Sequence, residues 1–231
     1  MPQLLVVYSG GMDSFTLLHQ SIIHANAGDT FYDSVAAVSF DYGQRHKKEL
    51  EVASRVTKKL GIPHSIVSLE TIKPFISTSA LTGDVTVPEG HYTADNMKLT
   101  VVPGRNTIML SVAMGIAQNY GMAGVAYGAH SGDHTIYPDC RPEYLHAMQA
   151  VYRRATEDKV KLIAPLMYID KGRILEIGLA FGLDYADTWT CYVGGNHPCG
   201  KCGACVERAE AFESNGVSDP LLAPGSPAEP V

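Results

Sequence analysis

The chain has 231 residues, 45% hydrophobic and 18% charged, with a formal net charge of −6. That length buries roughly 70–75% of the unfolded chain's surface, so a core forms without disulfide staples, and the apolar content excludes disorder over most of it. The acidic balance excludes a surface-wide basic footprint for nucleic acid, and no apolar run approaches the roughly 20 residues of a membrane span. Residues 1–8 carry no secretory signal. A cytoplasmic protein that meets anions through local clusters of positive groups is the expectation.

In chain order, residues 4–8 form a short apolar run ending in Ser-Gly-Gly, a buried strand entering a glycine turn. Residues 13–25 space Phe15, Leu17, Leu18, Ile22 and Ile23 as a helix, and 35–40 read as a second strand. A helix over 47–60 stops at Gly61 and Pro63, followed by a third strand over 64–69. Residues 77–104 show no clear period and read as a functional loop or lid. Helical spacing returns over 106–120, 142–156, 171–181 and 204–213, with a short strand over 124–127. After Gly216, Pro220, Pro224, Pro227 and Pro230 stand among Ala, Gly and Ser, which predicts a flexible tail. Alternating strands and helices imply an α/β fold, a parallel sheet covered on both faces. Ligands of such sheets bind beyond the carboxyl ends of the strands.

Ser9-Gly10-Gly11-Met12-Asp13-Ser14 joins the first strand to the first helix. Two glycines let successive N–H groups converge into a nest for an anion, at a helix N-terminus whose partial positive charge adds to the attraction. Ser9 and Ser14 add hydroxyls, and Asp13 either caps the helix or holds Mg²⁺ against phosphates. An ordinary strand–turn–helix connection would use the same residues. The string lacks the lysine of the G-x-x-x-x-G-K-[ST] loop and is not G-x-G-x-x-G. It resembles the pyrophosphate loop of the N-type ATP pyrophosphatases, which cut ATP between its α and β phosphates and activate a substrate oxygen as an adenylate.

Cys191, Cys199, Cys202 and Cys205 fall within one short segment containing two consecutive C-x-x-C steps. Clustered thiols in a reducing setting mean metal or catalysis rather than disulfides, and four thiolates in a tetrahedron make a closed structural Zn²⁺ site. An iron–sulfur cluster or a redox pair are the rivals. Cys140 alone reads as a buried small hydrophobe.

Three further polar clusters fall at predicted strand ends. Asp41-Tyr42-Gly43-Gln44-Arg45-His46 follows the second strand, and Val102-Pro103-Gly104-Arg105-Asn106 opens a helix beside which anions are favoured. Tyr137-Pro138-Asp139-Cys140-Arg141 is a turn carrying a carboxylate, a thiol and a guanidinium. Lys171, ahead of Ile174, Leu175 and Ile177, is a candidate phosphate ligand.

Taken together and in this order, the motifs at 9–14, 40–46, 102–106, 137–141, 190–192 and 199–205 resemble the 7-cyano-7-deazaguanine synthases, over about residues 4–212. Asp133-His134-Thr135-Ile136-Tyr137 and Ala164-Pro165-Leu166 depart from that family's usual wording. The resemblance implies an adenine nucleotide alpha hydrolase fold over 1–186, a zinc-binding segment over 187–213 and a flexible tail over 214–231. It implies that 7-carboxy-7-deazaguanine, ammonia and two ATP give the nitrile, two AMP and two pyrophosphates. A tRNA-acting pyrophosphatase such as a thiolase, or a non-biosynthetic adenylating module, are the competing activities. Nucleotide contact is then expected from Tyr8, Ser9, Gly10, Gly11, Met12, Asp13, Ser14, Phe15, Thr16, Leu17 and Leu18. Substrate contact is expected from Tyr42, Gln44, Arg45, Asn106, Tyr137, Asp139 and Arg141. Catalysis would rest on Asp13, Arg105, Lys171, Asp133 and His46, the last two as candidate bases. The cofactors implied are one structural Zn²⁺ on the four cysteines and Mg²⁺ entering with ATP. The implied partners are small molecules and a second copy of the chain, with no nucleic acid and no membrane.

Overall fold

The computed structural model describes residues 1–91 and 95–222. Its strands β1 (Gln3–Val7), β2 (Ser34–Asp41), β3 (His64–Ser68), β4 (Gly124–Ala126) and β5 (Lys161–Ile163) form one parallel sheet in the order β3-β2-β1-β4-β5. From β1 the chain winds one way through α1 (Met12–Ala27) and α2 (Lys48–Leu60), then reverses through α3 (Arg105–Asn119) and α4 (Pro142–Thr156). Two more helices follow, α5 (Lys171–Ala180) and α6 (Gly203–Ser214). The reversal falls between β1 and β4, paired in register Leu4↔Gly124 to Val6↔Ala126, and it opens a crevice at their carboxyl ends.

Successive strand residues face opposite sides, and β1 shows it directly. Leu4 and Val6 join one core with Phe15 and Leu17 of α1, Val52 and Val56 of α2, Ile174 of α5 and Phe212 of α6. Leu5 joins the other, with Met109 and Leu110 of α3 and Leu145, Met148 and Tyr152 of α4. The expected α/β architecture is therefore present, including every strand read from the sequence. The sequence reading has no counterpart to β5, which spans only Lys161–Ile163.

The described residues of the 77–104 segment, 77–91 and 95–104, are more structured than an open lid, and 92–94 lie outside the described residues. Leu81, Met97 and Val102 enter the second core, and the Thr100 and Tyr137 hydroxyls share a hydrogen bond of 2.7 Å. The stretch Asp95–Asn119 is long and apolar enough to cross a membrane by length and composition. It is broken by a turn at Pro103-Gly104, and α3 buries Met109, Leu110, Ala113 and Ala117 in the protein's own core.

Two boundaries move. Cys191, Cys202, Ala204, Cys205 and Phe212 share the core of β1 and α1, so the expected 187–213 segment is continuous with the α/β body. The expected flexible tail stays folded as far as Leu222: Asp219 is buried, and both its carboxylate oxygens accept from Arg208 of α6, at 2.7 and 2.8 Å. Residues 223–231 of that tail lie outside the described residues.

Candidate active site

The crevice at the β1/β4 reversal holds a cavity of about 240 Å³. One wall is the loop after β1. Its Ser9 N–H donates to Ser14 Oγ (3.2 Å), Ser14 Oγ to the Gly11 carbonyl (3.1 Å) and Gly11 N–H to Ser9 Oγ (3.2 Å), so the two serines brace the turn from within. Gly10 takes φ +86°, and a Cβ there would stand 2.4 Å from the Glu49 carbonyl of α2. Only glycine lets the loop press this close to α2. No side chain caps α1, so its first N–H groups and its positive end are left for an anion.

A charged cluster faces that helix end. Lys171, almost fully buried at the start of α5, reaches Asp13 Oδ2 at 3.3 Å and Glu207 of α6 at 2.5 Å. Buried His130 sits between carboxylates, 3.7 Å from Asp13 Oδ2 and 3.6 Å from Asp133 Oδ2. Burial pushes the Asp13 carboxyl up, but Lys171 and His130 outweigh it and hold the group below the usual carboxylate range. Burial likewise pulls the Lys171 ammonium down, and Asp13, Glu207 and Asp133 more than restore it, so it stays charged. Asp13 Oδ1 is enclosed and accepts no hydrogen bond from the described residues. An orphaned carboxylate oxygen beside an anion nest fits a hard divalent cation carried in on a phosphate chain.

The other end of the cavity is aromatic. The Arg105 guanidinium lies 6.0 Å from the Tyr42 ring centroid and 5.9 Å from that of Tyr137. Burial lowers its pKa, and Tyr42, Tyr137, Tyr192 and Cys140 together raise it further. Burial pushes the Tyr42 hydroxyl up to about 12 and the Cys140 thiol up as well, so both are neutral. A flat ring with an anionic substituent matches this end: faces for stacking and a fork for the charge.

The four cysteines bring their sulfurs within 4.8 Å of one another. Backbone N–H groups of Cys199 and Cys202 point at Cys191 Sγ and Cys199 Sγ, each at 3.3 Å. Amides aimed at sulfur stabilise thiolates, and the group could hold a metal ion. Cys191 and its neighbours Trp189, Thr190 and Tyr192 also line the cavity, so the cluster touches the cavity through Cys191.

Residues 3–216 match the family described as queuosine biosynthesis protein QueC. The chain belongs to that family. It is 54% identical over 218 residues to a 7-cyano-7-deazaguanine synthase of Marinobacter nauticus, covering 94% of this chain and 96% of that one. It is 52% identical over 219 residues to one of Pseudoalteromonas translucida, covering 95% and 97%.

In this QueC-family chain the expected catalytic residues Asp13, Arg105, Lys171, Asp133 and His46 all line the one cavity, as do Tyr8, Ser9, Gly11, Met12, Ser14, Tyr42, Gln44, Arg45, Asn106 and Tyr137. Burial lowers the pKa of His46, favouring its neutral, basic form. Phe15, Thr16, Leu17 and Leu18 do not reach the cavity. They are core residues of α1, and Thr16 bonds the Tyr185 hydroxyl at 2.6 Å. Gly10 shapes the loop rather than lining the cavity. Asp139 also stands outside it: its carboxylate accepts the Asn106 N–H at 3.0 Å and so occupies the start of α3 that the sequence reading left to a ligand. Arg141 faces away, donating to the His134 carbonyl at 2.8 Å. The variant position Ile136 packs in the second core. The sequence reading missed Glu49, His130, Trp189, Tyr192 and Glu207; of these, only Tyr192 sat inside a quoted motif.

Proposed function

We propose that the chain converts 7-carboxy-7-deazaguanine and ammonia to 7-cyano-7-deazaguanine, using two ATP as adenylating substrates. The observation that carries this reading is the continuity of the cavity. An uncapped helix N-terminus with Lys171 and an orphaned Asp13 oxygen lies at one end, and an arginine among tyrosines at the other.

A carboxylate oxygen is a poor leaving group, so the substrate carboxylate first attacks the α-phosphorus of ATP and the bond to the β-phosphate oxygen breaks. The α1 N–H groups, Ser9 and Ser14 receive the departing pyrophosphate, and Lys171 and Arg105 offset charge as it builds. Asp13, with its unpartnered Oδ1, would hold the Mg²⁺ that accompanies the nucleotide, and that charge would offset the phosphates. Ammonia then attacks the mixed anhydride, AMP leaves and the amide results. The amide oxygen attacks the α-phosphorus of a second ATP in the same way, releasing a second pyrophosphate; loss of AMP and of both protons on nitrogen forms the nitrile. His46 and Asp133, both on the cavity wall, are the bases for the protons released. Leu81 and its segment wall the cavity and limit water, which competes for the anhydride.

The four cysteines would hold one Zn²⁺ as thiolates, in a structural role. Location in the cytoplasm and assembly as a dimer complete the reading. Purified protein given ATP, ammonium and 7-carboxy-7-deazaguanine should form AMP and pyrophosphate, and should convert the supplied amide to nitrile without added ammonia. ADP and orthophosphate as products would refute it.

A further inference from the structure

Glu49, in the first turn of α2, lines the cavity but belongs to none of the sequence motifs and has no part in the phosphate chemistry. Its Oε1 accepts a hydrogen bond from Gln44 Nε2 at 3.0 Å. Gln44 is itself fixed, with Oε1 accepting the Tyr42 N–H (2.9 Å) and Nε2 donating also to the Phe40 carbonyl (3.2 Å). Both donors of Gln44 are therefore used inside the protein, and the effect is to hold Glu49 in one place. Glu49 Oε2 accepts no hydrogen bond from the described residues, and Glu49 itself lines the cavity.

Among the described residues, no cation lies within ion-pair distance of Glu49 and no carboxylate within that distance of Arg105. The Arg105 charge is nevertheless felt at Glu49. Two opposite charges thus share one cavity without meeting. Unpaired, desolvated charges cost stability, and burial pushes the Glu49 carboxyl up to about 7. Charges kept apart in this way suit a ligand that carries donors at one end and an anion at the other.

We propose that Glu49 is the specificity residue for the base, its carboxylate accepting the ring N–H and exocyclic amino donors of the 7-deazaguanine edge. This rests on the substrate proposed above. A carboxylate accepts two parallel N–H donors, which that edge presents. An adenine-type edge offers a ring acceptor instead, and a hypoxanthine-type edge lacks the amino group. With the edge on Glu49, the ring lies among Tyr42, Tyr137 and Tyr192, and the 7-carboxylate points toward Arg105.

The test is calorimetric titration of the full chain with 7-deazaguanine and 7-deazahypoxanthine, neither of which can react. The wild-type protein should prefer 7-deazaguanine by at least about tenfold, the worth of one charge-assisted hydrogen bond. Glu49→Gln should abolish that preference while still binding ATP, and Glu49→Asp should keep it at lower affinity. Absence of a preference in the wild type, no measurable binding of either base, or a preference retained in Glu49→Gln would overturn the assignment. So would a variant that loses kcat with discrimination intact, since Glu49 would then be moving protons. Base discrimination without AMP formation from 7-carboxy-7-deazaguanine would refute the proposed reaction and leave the role of Glu49 standing.

Discussion

Asp219→Asn should unfold the protein several degrees earlier, although Asp219 lies near the end of the described chain. Both partners of its ion pair are almost fully buried, at 3% and 4% side-chain exposure. The guanidinium of Arg208 makes two parallel bonds to the carboxylate, and also donates to Thr188 Oγ1 (2.7 Å), Thr190 Oγ1 (3.3 Å) and the Tyr185 carbonyl (3.1 Å). Replacing the carboxylate by an amide keeps the shape but strands a buried cation, which costs about 3–5 kcal/mol. For a chain of this size each kcal/mol moves Tm by roughly 2–4 °C, so a drop on the order of 10 °C is expected in a calorimetric scan. Arg208→Met combined with Asp219→Leu should recover most of it, because no charge is left unpaired. Because Thr188 and Thr190 flank Trp189 and precede Cys191, the single variant should also loosen the cavity wall, and proteolysis should cut earlier after α6. A change in Tm below about 2 °C for Asp219→Asn would mean that residues 217–222 are free in solution, and the reasoning would fail.

Cys202→Ser, or strong chelation, should remove bound metal, lower Tm and lower ATP-dependent turnover, because the cysteine cluster shares a wall with the cavity. Metal analysis by mass spectrometry checks it, with zinc expected and iron contradicting the proposed site. Lys171→Met should cut AMP formation by about 10²–10³-fold, since it removes the cation beside the developing charge and leaves Asp13 and Glu207 facing each other; Lys171→Arg should not restore it in so enclosed a position. Glu49→Gln should stabilise the ligand-free protein at alkaline but not at acid pH. Burial raises the Glu49 pKa from 4.5 to about 7 in the folded chain, so the folded state keeps a proton that the unfolded chain releases. This group's contribution is therefore fully present below pH 4.5 and lost as pH rises through 7. The gain at pH 8 should be about 2–3 kcal/mol after solvent screening, read by urea titration at both pH values.

The parts of this fold that were legible in the sequence are those coded locally. The strand Leu4 to Val7 followed by Gly10-Gly11 announces both an element and its chemistry, because period and turn residues act within a few positions. The cysteine spacing is equally local. Glu207 is different: its partner Lys171 is 36 positions away, and nothing beside it on α6 distinguishes it from a solvated helical glutamate. His130 and Glu49 likewise acquire meaning only from what the sheet places opposite them. Asp139 and Arg141 sit inside a quoted motif, and what the sequence could not show is that their side chains bond the start of α3 and the His134 carbonyl. Asp219 was concealed by composition, a charged residue among prolines that reads as tail until Arg208 is seen beside it.

The charges around Lys171 bear on the proposal that ATP enters with a divalent cation. Asp13, Asp133 and Glu207 are gathered around one ammonium, Lys171, and one imidazole, His130. Three carboxylates against a single permanent cation leave an excess of negative charge where the proposed reaction would place a triphosphate, so this cluster alone would repel it. Attraction comes from the uncapped α1 terminus on one side, worth at most a partial charge. That is too little against two uncompensated carboxylates at short range. In the proposed reaction Asp13, whose Oδ1 is unpartnered, would hold the Mg²⁺ that enters with ATP, and that charge would reverse the balance. If the cation left with the pyrophosphate, the same carboxylates would favour release of that product, which would suit the proposed use of two ATP for each nitrile.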